Sequence, residues 1–236
     1  MSLLKQLNPN LGLGAALLAL AAVAWYAIVL QSAGLAMAMD VSVSAYLVTW
    51  VTMLVAMMLP ATAPLAVAYG RVVRARGGGR LAALPFTVGY LLIWTAAGLL
   101  PLAVFIWSRG MVAGMGVSPF GAPALGAVLA VAGLYQLSPW KGACLRACRS
   151  PLGFVMAHDF ERGASGGLLA GAAHGAFCLG CCWVLMAVLA VAGLMSLPWM
   201  AALAVLILAE KNWRHGYRLA RVAGVAMVLV GILVAL

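Results

Sequence analysis

The sequence predicts an all-α, polytopic membrane bundle of about seven transmembrane helices with a cytoplasmic N-terminus, and three observations carry that prediction. The first is composition. Of 236 residues, 67% are hydrophobic and only 8% charged, with several apolar runs long enough to cross a hydrocarbon core of about 30 Å. The second is texture: the runs are rich in Ala, Leu, Val and Gly and lack the alternation of a barrel strand, which favours helices. The third is where the basic residues fall.

Taken in order, spans are expected at about 12–30, 44–68, 84–107, 121–139, 166–194, 197–213 and 218–236. Lys5 precedes the first, and Ala36-Met-Ala38 follows it like a cleavage site. The apolar stretch exceeds an ordinary signal-peptide core, so it reads as a retained helix. Arg71, Arg74, Arg76 and Arg80 lie in the 2–3 loop, where Gly77-Gly78-Gly79 suggests a flexible turn. Lys141, Arg146, Arg149 and Arg162 lie in the 4–5 loop, and Lys211, Arg214, Arg218 and Arg221 around the 6–7 loop. Thirteen of the fourteen basic residues thus fall on alternate loops, with only Arg109 opposite. The positive-inside rule then puts the N-terminus in the cytoplasm and the C-terminus outside. The net charge of +10 reflects this loop bias, not nucleic-acid binding. Residues 1–236 read as a single transmembrane domain whose surroundings are the lipid bilayer, and no lipidation motif is present.

Soft ligands sort by depth in this topology. Met37, Met39, Asp40, Met111, Met115, Met195 and Met200 lie at or near the outer face. Thioethers there suit capture of Cu(I), although methionine also fills irregular gaps between helices. In the second span Met53 and Met57 stand one turn apart, with Pro60 and Pro64 continuing that face. They could line a metal path or pack a kinked core helix. Their spacing is similar to the Met-x-x-x-Met pair of eukaryotic high-affinity copper transporters.

The inner end of the fourth span reads Tyr135-Gln-Leu-Ser-Pro-Trp-Lys141, followed by Cys144-x-x-x-Cys148. These cysteines are one helical turn apart if the segment is helical, and Arg146 and Arg149 nearby should favour their thiolates. His158, Asp159 and Glu161 later in the loop read as solubilising groups or partners for the arginines. Glu210, at the inner end of the sixth span, has Lys211 and Arg214 as expected partners.

The densest motif is His174-Gly-Ala-Phe-Cys178-Leu-Gly-Cys181-Cys182-Trp183 in the fifth span. At about 100° per residue His174, Cys178 and Cys181 share an arc of roughly 60°, with Cys182 on its flank. A lone cysteine packs as a small hydrophobe. Three within five residues, behind a histidine and in a chain with five cysteines, instead point to a metal site at membrane depth. Gly163, Gly166, Gly167, Gly171, Gly175 and Gly180 on the same run should let a neighbour approach closely, making this helix central and bringing Met57 near Cys178.

Thr52-Met53-Leu-Val-Ala-Met57-Met58-Leu-Pro60, the Tyr135–Lys141 segment with Cys144 and Cys148, and His174-Gly-x-x-Cys178-x-Gly-Cys181-Cys182-Trp183 together resemble a bacterial family of integral membrane proteins of unknown function, described as predicted metal-binding. The resemblance implies His174, Cys178, Cys181, Cys182, Cys144 and Cys148 as ligands and a multi-pass place in the bacterial inner membrane.

The function expected is binding and movement of a soft transition metal with Cu(I) favoured, through methionines outside, a buried Cys/His cluster and an inner exit at Cys144/Cys148. A metallochaperone or a larger membrane complex would be the protein partner. A membrane thiol–disulfide carrier is one alternative, though no cysteine lies near the outer face. A structural or assembly subunit is another. No hydrolytic triad, P-loop or dinucleotide motif appears, so the chain reads as a binding protein rather than an enzyme.

Overall fold

The computed structural model describes residues 2–35, 42–79, 81, 83–112, 122–150, 153–154, 163–192 and 196–236. These residues form eight principal helices and no strand: α1 (Ser2–Leu35), α2 (Val43–Ala75), α3 (Ala83–Val112), α4 (Ala122–Leu137), α5 (Pro139–Arg149), α6 (Gly163–Ala192), α7 (Leu197–Asn212) and α8 (Gly216–Ala235). Five of them, α1, α2, α3, α6 and α8, contain stretches long and apolar enough to cross a bilayer. α4 and α7 are shorter, at 16 residues each.

Local chemistry sets the ends. Ser42 caps α2 by accepting from the Ala45 N–H at 3.2 Å, and Ser138 caps α5 by accepting from the Lys141 N–H at 3.2 Å. Pro139 follows Ser138 in the first turn of α5, where its missing N–H costs nothing. The Gly77-Gly78-Gly79 segment departs from the expected flexible turn. Gly77 adopts φ +89°, its N–H bonds to Arg74 O, and the Gly78 N–H reaches Val73 O at 2.9 Å. That pattern is a Schellman closure of α2, and it needs glycine at the left-handed position.

α6 is the hub, meeting α3, α4, α5 and α7. Over half of the apolar stretch of α2 and of α6 is buried, against 17% for α8 and 22% for α1. The glycine ladder of α6 serves α3. A Cβ on Gly171 would collide with the Phe86 carbonyl, and one on Gly175 would meet Tyr90 O at 3.1 Å. The close approach therefore goes to α3 rather than to α2, which packs chiefly on α1, α3 and α7. α4 and α8 pair in the same way and antiparallel, with Gly126 against Gly231 and Gly133 against Gly224.

Proline in α2 is accommodated from outside the helix. Pro60 has no N–H to give the carbonyl four residues earlier, and the Trp25 indole on α1 donates to that Ala56 oxygen at 3.1 Å. Tyr46 and Trp50 tie α2 to α3 by donating to Gly98 O and Trp94 O, both at 3.1 Å.

Candidate metal centre

The 4–5 segment, expected as a hydrophilic loop, contains a helix. α5 lies across α6 and turns its cysteines onto the middle of that helix, next to Cys178, Cys181 and Cys182. All three α6 thiols are buried, at 0–1% exposure. Their sulfurs lie within 4.8 Å of one another, with Cys181 and Cys182 3.2 Å apart. Spacings of three and four put Cys178 and Cys181 on one face, and burial of the flank brings in Cys182. Cys148 adds a sulfur 3.8 Å from that of Cys181, on a different helix. Cys144 sits one turn back, its sulfur 2.7 Å from where a Cβ on Gly180 would stand, so a side chain at that position would push the sulfur aside.

Charge reaches this cluster from α7. The Lys211 ammonium, 6% exposed, donates to the Cys178 sulfur at 2.8 Å. The Tyr90 hydroxyl of α3 lies 3.0 Å from the same sulfur. Sequence reading found neither contact, because the partners are 33 and 88 residues apart. The available signal was Lys211 itself, a cation at the end of a long apolar run that needed an acceptor.

Glu210 does not pair with Lys211 or Arg214 as expected. Adjacent helical residues point about 100° apart, so Glu210 and Lys211 face different neighbours. The Glu210 carboxylate is 1% exposed, receives Lys141 Nζ at 2.6 Å and Gln136 Nε2 at 2.8 Å, and so has both oxygens satisfied. Its backbone carbonyl accepts from Arg149. α5 is thereby fastened at both ends to one residue of α7.

Arg149 is engaged with that carbonyl and stands 5.1 Å over the Tyr217 ring, not beside the thiols. The expected thiolate-favouring effect on Cys148 is reversed: hydrogen bonding to the Cys178 sulfur, together with burial, pushes the Cys148 thiol up.

His174 is buried at 2% exposure, but its ring sits in an aromatic box. Phe86 and Tyr90 stack on it at 5.9 and 5.7 Å, and Phe154 meets it edge-on at 5.3 Å. It is not among the groups that share the 4.8 Å cluster. Met53 and Met57, each 1% exposed, belong to the apolar core that also holds the thiols. Met57 also lines an apolar groove of about 300 Å³ between α2 and α7. Met200 is buried in the same core. Met37, Met39, Asp40, Met115, His158, Asp159, Glu161 and Met195 lie outside the described residues, and of Met111 only the helical backbone is described.

The cluster fits a soft cation. A thiolate–metal bond is about 2.3 Å, so sulfurs across a metal stand about 4.0 Å apart in a trigonal site and about 4.6 Å apart in a linear one. The three α6 sulfurs all lie within 4.8 Å of one another, and the Cys181–Cys182 pair, at 3.2 Å, is closer than either geometry, so a side-chain rotation of one of the two opens the site to a shared ion. Thiolate donors with no carboxylate or carbonyl among them select soft metals.

No curated protein and no solved structure matches the chain. A family of proteins does: residues 47–234, from the start of α2 almost to the end of α8, match PpoB2, described as a copper chaperone. With most of its length and every described cysteine inside that match, the chain belongs to the PpoB2 copper chaperone family.

Proposed function

We propose that the protein is a multi-pass membrane copper chaperone that holds Cu(I) between Cys178, Cys181 and Cys182 and exchanges it through Cys148 and Cys144 on α5. The mutual approach of three buried sulfurs to within 4.8 Å is the observation that carries the reading. Electrostatics supports it. A Cu(I) ion held by two thiolates and one neutral thiol has net charge −1, and the Lys211 ammonium, 2.8 Å from the Cys178 sulfur, brings the buried group to neutrality, which the low dielectric of a membrane interior favours.

In this reading α1–α4 and α6–α8 supply seven crossings of a bacterial inner membrane, with residues 1–236 forming one domain and the N-terminus in the cytoplasm. The loop bias of the basic residues supports that orientation. α5 then lies at the inner face, and a soluble metallochaperone or a cuproenzyme under assembly would meet the protein there. Met53 and Met57 act as transfer ligands from the outer side, and His174 joins when its ring leaves the aromatic box.

The test is Cu(I) stoichiometry of anaerobically purified protein. Replacing Cys178, Cys181 and Cys182 with serine should abolish binding while leaving the helical content unchanged. Undiminished copper in that triple variant sinks the proposal.

One distance favours a second reading as a thiol–disulfide carrier. Cys148 and Cys181 stand 3.8 Å apart and would need to close to about 2.05 Å to bond. Capture of a mixed disulfide with a partner through Cys148 would bring that reading forward.

A further inference from the structure

Where α4 turns into α5, and α8 passes beneath, the molecule has a cavity of about 340 Å³. It is separate from the thiol cluster. Its wall includes Lys141, Arg146 and Arg221, with Ser138, Tyr217 and Ala220, and no acidic side chain lines it. The Lys141 charge is already matched by Glu210 at 2.6 Å, on the far side of the wall. Arg146 and Arg221 are both exposed and make no salt bridge among the described residues, so two guanidinium charges on different helices share one concavity without an anion.

We propose that this cavity binds a phosphate group. Guanidinium forks match phosphate oxygens, and two arginines converging on one cavity give both charge and orientation. The N-terminus of the 11-residue helix α5 opens into the same space through Ser138 and adds its positive end. The volume lies at the lower end of the range for small-ligand sites, enough for a headgroup and too small for a nucleotide chain. Trp140, between the lining residues Pro139 and Lys141, stands 77% exposed, as indoles do at the level of lipid headgroups. The phosphate therefore comes either from an anionic lipid of the inner leaflet or from free phosphate in the cytoplasm. In the first case the lipid pins the α4–α5 corner, and with it the helix that carries Cys144 and Cys148.

The experiment uses the full chain in a maltoside detergent, which carries no phosphate, with and without added phosphatidylglycerol. Retained lipid is counted by native mass spectrometry and thermal unfolding is followed in parallel. A third arm titrates inorganic phosphate into the lipid-free maltoside sample. Phosphatidylglycerol should be retained and should raise the unfolding temperature. The Arg146→Gln/Arg221→Gln variant should lower its affinity about 25-fold, at about fivefold per arginine near an anionic surface. The corresponding Lys pair keeps the charge without the forks and should recover only part of it. Inorganic phosphate binding with the same dependence on both arginines assigns the site to free phosphate. Copper stoichiometry equal to wild type shows that the glutamine pair folds; if it does not, Arg221→Gln alone carries the test with a fivefold loss. Binding of neither probe, or wild-type affinity in the variants, overturns the inference.

Discussion

Replacing Lys211 with methionine tests whether the cation beside the thiol cluster serves the metal or only the packing. Lys211 Nζ lies 2.8 Å from the Cys178 sulfur, and both groups are buried. A hydrogen bond to a charged group contributes about 1.5–3 kcal/mol, and here the charge exists when the sulfur is metal-bound. The expected loss in Cu(I) affinity is therefore about 10- to 150-fold. Methionine has similar length and removes an ammonium that is costly to bury, so the copper-free protein should be no less stable than wild type. Lys211→Arg should recover much of the affinity. The assay is competition with a chromophoric Cu(I) chelator at fixed pH, paired with thermal unfolding of the apo form. Unchanged affinity in Lys211→Met would refute the electrostatic argument. Equal losses of affinity and apo stability would assign Lys211 to packing.

Three further outcomes follow from other contacts. Glu210→Gln strands the Lys141 ammonium in a site with 1% exposure and should destabilise the fold by about 3–5 kcal/mol, while Lys141→Met/Glu210→Gln recovers most of the loss; a stable single variant contradicts this. Gly171→Ala drives a methyl into the Phe86 carbonyl and should cost about 1–3 kcal/mol in chemical unfolding, whereas Gly142→Ala, inside α5 with open space around it, should stabilise by up to about 1 kcal/mol. Cys148→Ser should leave copper stoichiometry intact and slow transfer to a thiol chelator in stopped-flow measurements. A loss of stoichiometry equal to that of Cys181→Ser would instead make Cys148 a primary ligand.

The long helices were legible because crossing a bilayer demands a length of apolar sequence that nothing else in the chain mimics. α6 as the hub was legible too, from glycines at helical spacing. Which neighbour those glycines admit was not, since spacing marks a face without naming what meets it; the neighbour is α3, and Met57 stays on α2. The thiol cluster was readable as three cysteines in five residues, but the turn that set His174 on the same arc said nothing of Phe86, Tyr90 and Phe154 enclosing its ring. α5 was hidden for a different reason. Its 11 residues carry Lys141, Arg146 and Arg149 and read as loop by charge, whereas Ser138 and Pro139 open a helix whose Lys141 and Arg149 are anchored to Glu210. The pairing of Lys211 with Cys178 and of Lys141 with Glu210 depends on helices distant in sequence, and no local pattern encodes it.

Glu210 and Lys211 are joined by a single peptide bond, and they hold opposite things: one grips the helix that covers the sulfurs, the other touches a sulfur itself. Under the proposed function, lifting α5 would drag on Glu210, and rotation of that residue would swing the neighbouring ammonium away from the Cys178 sulfur. Uncovering the sulfurs and loosening a bound ion would then be one mechanical event, so a partner docking on α5 would need no separate signal to empty the site.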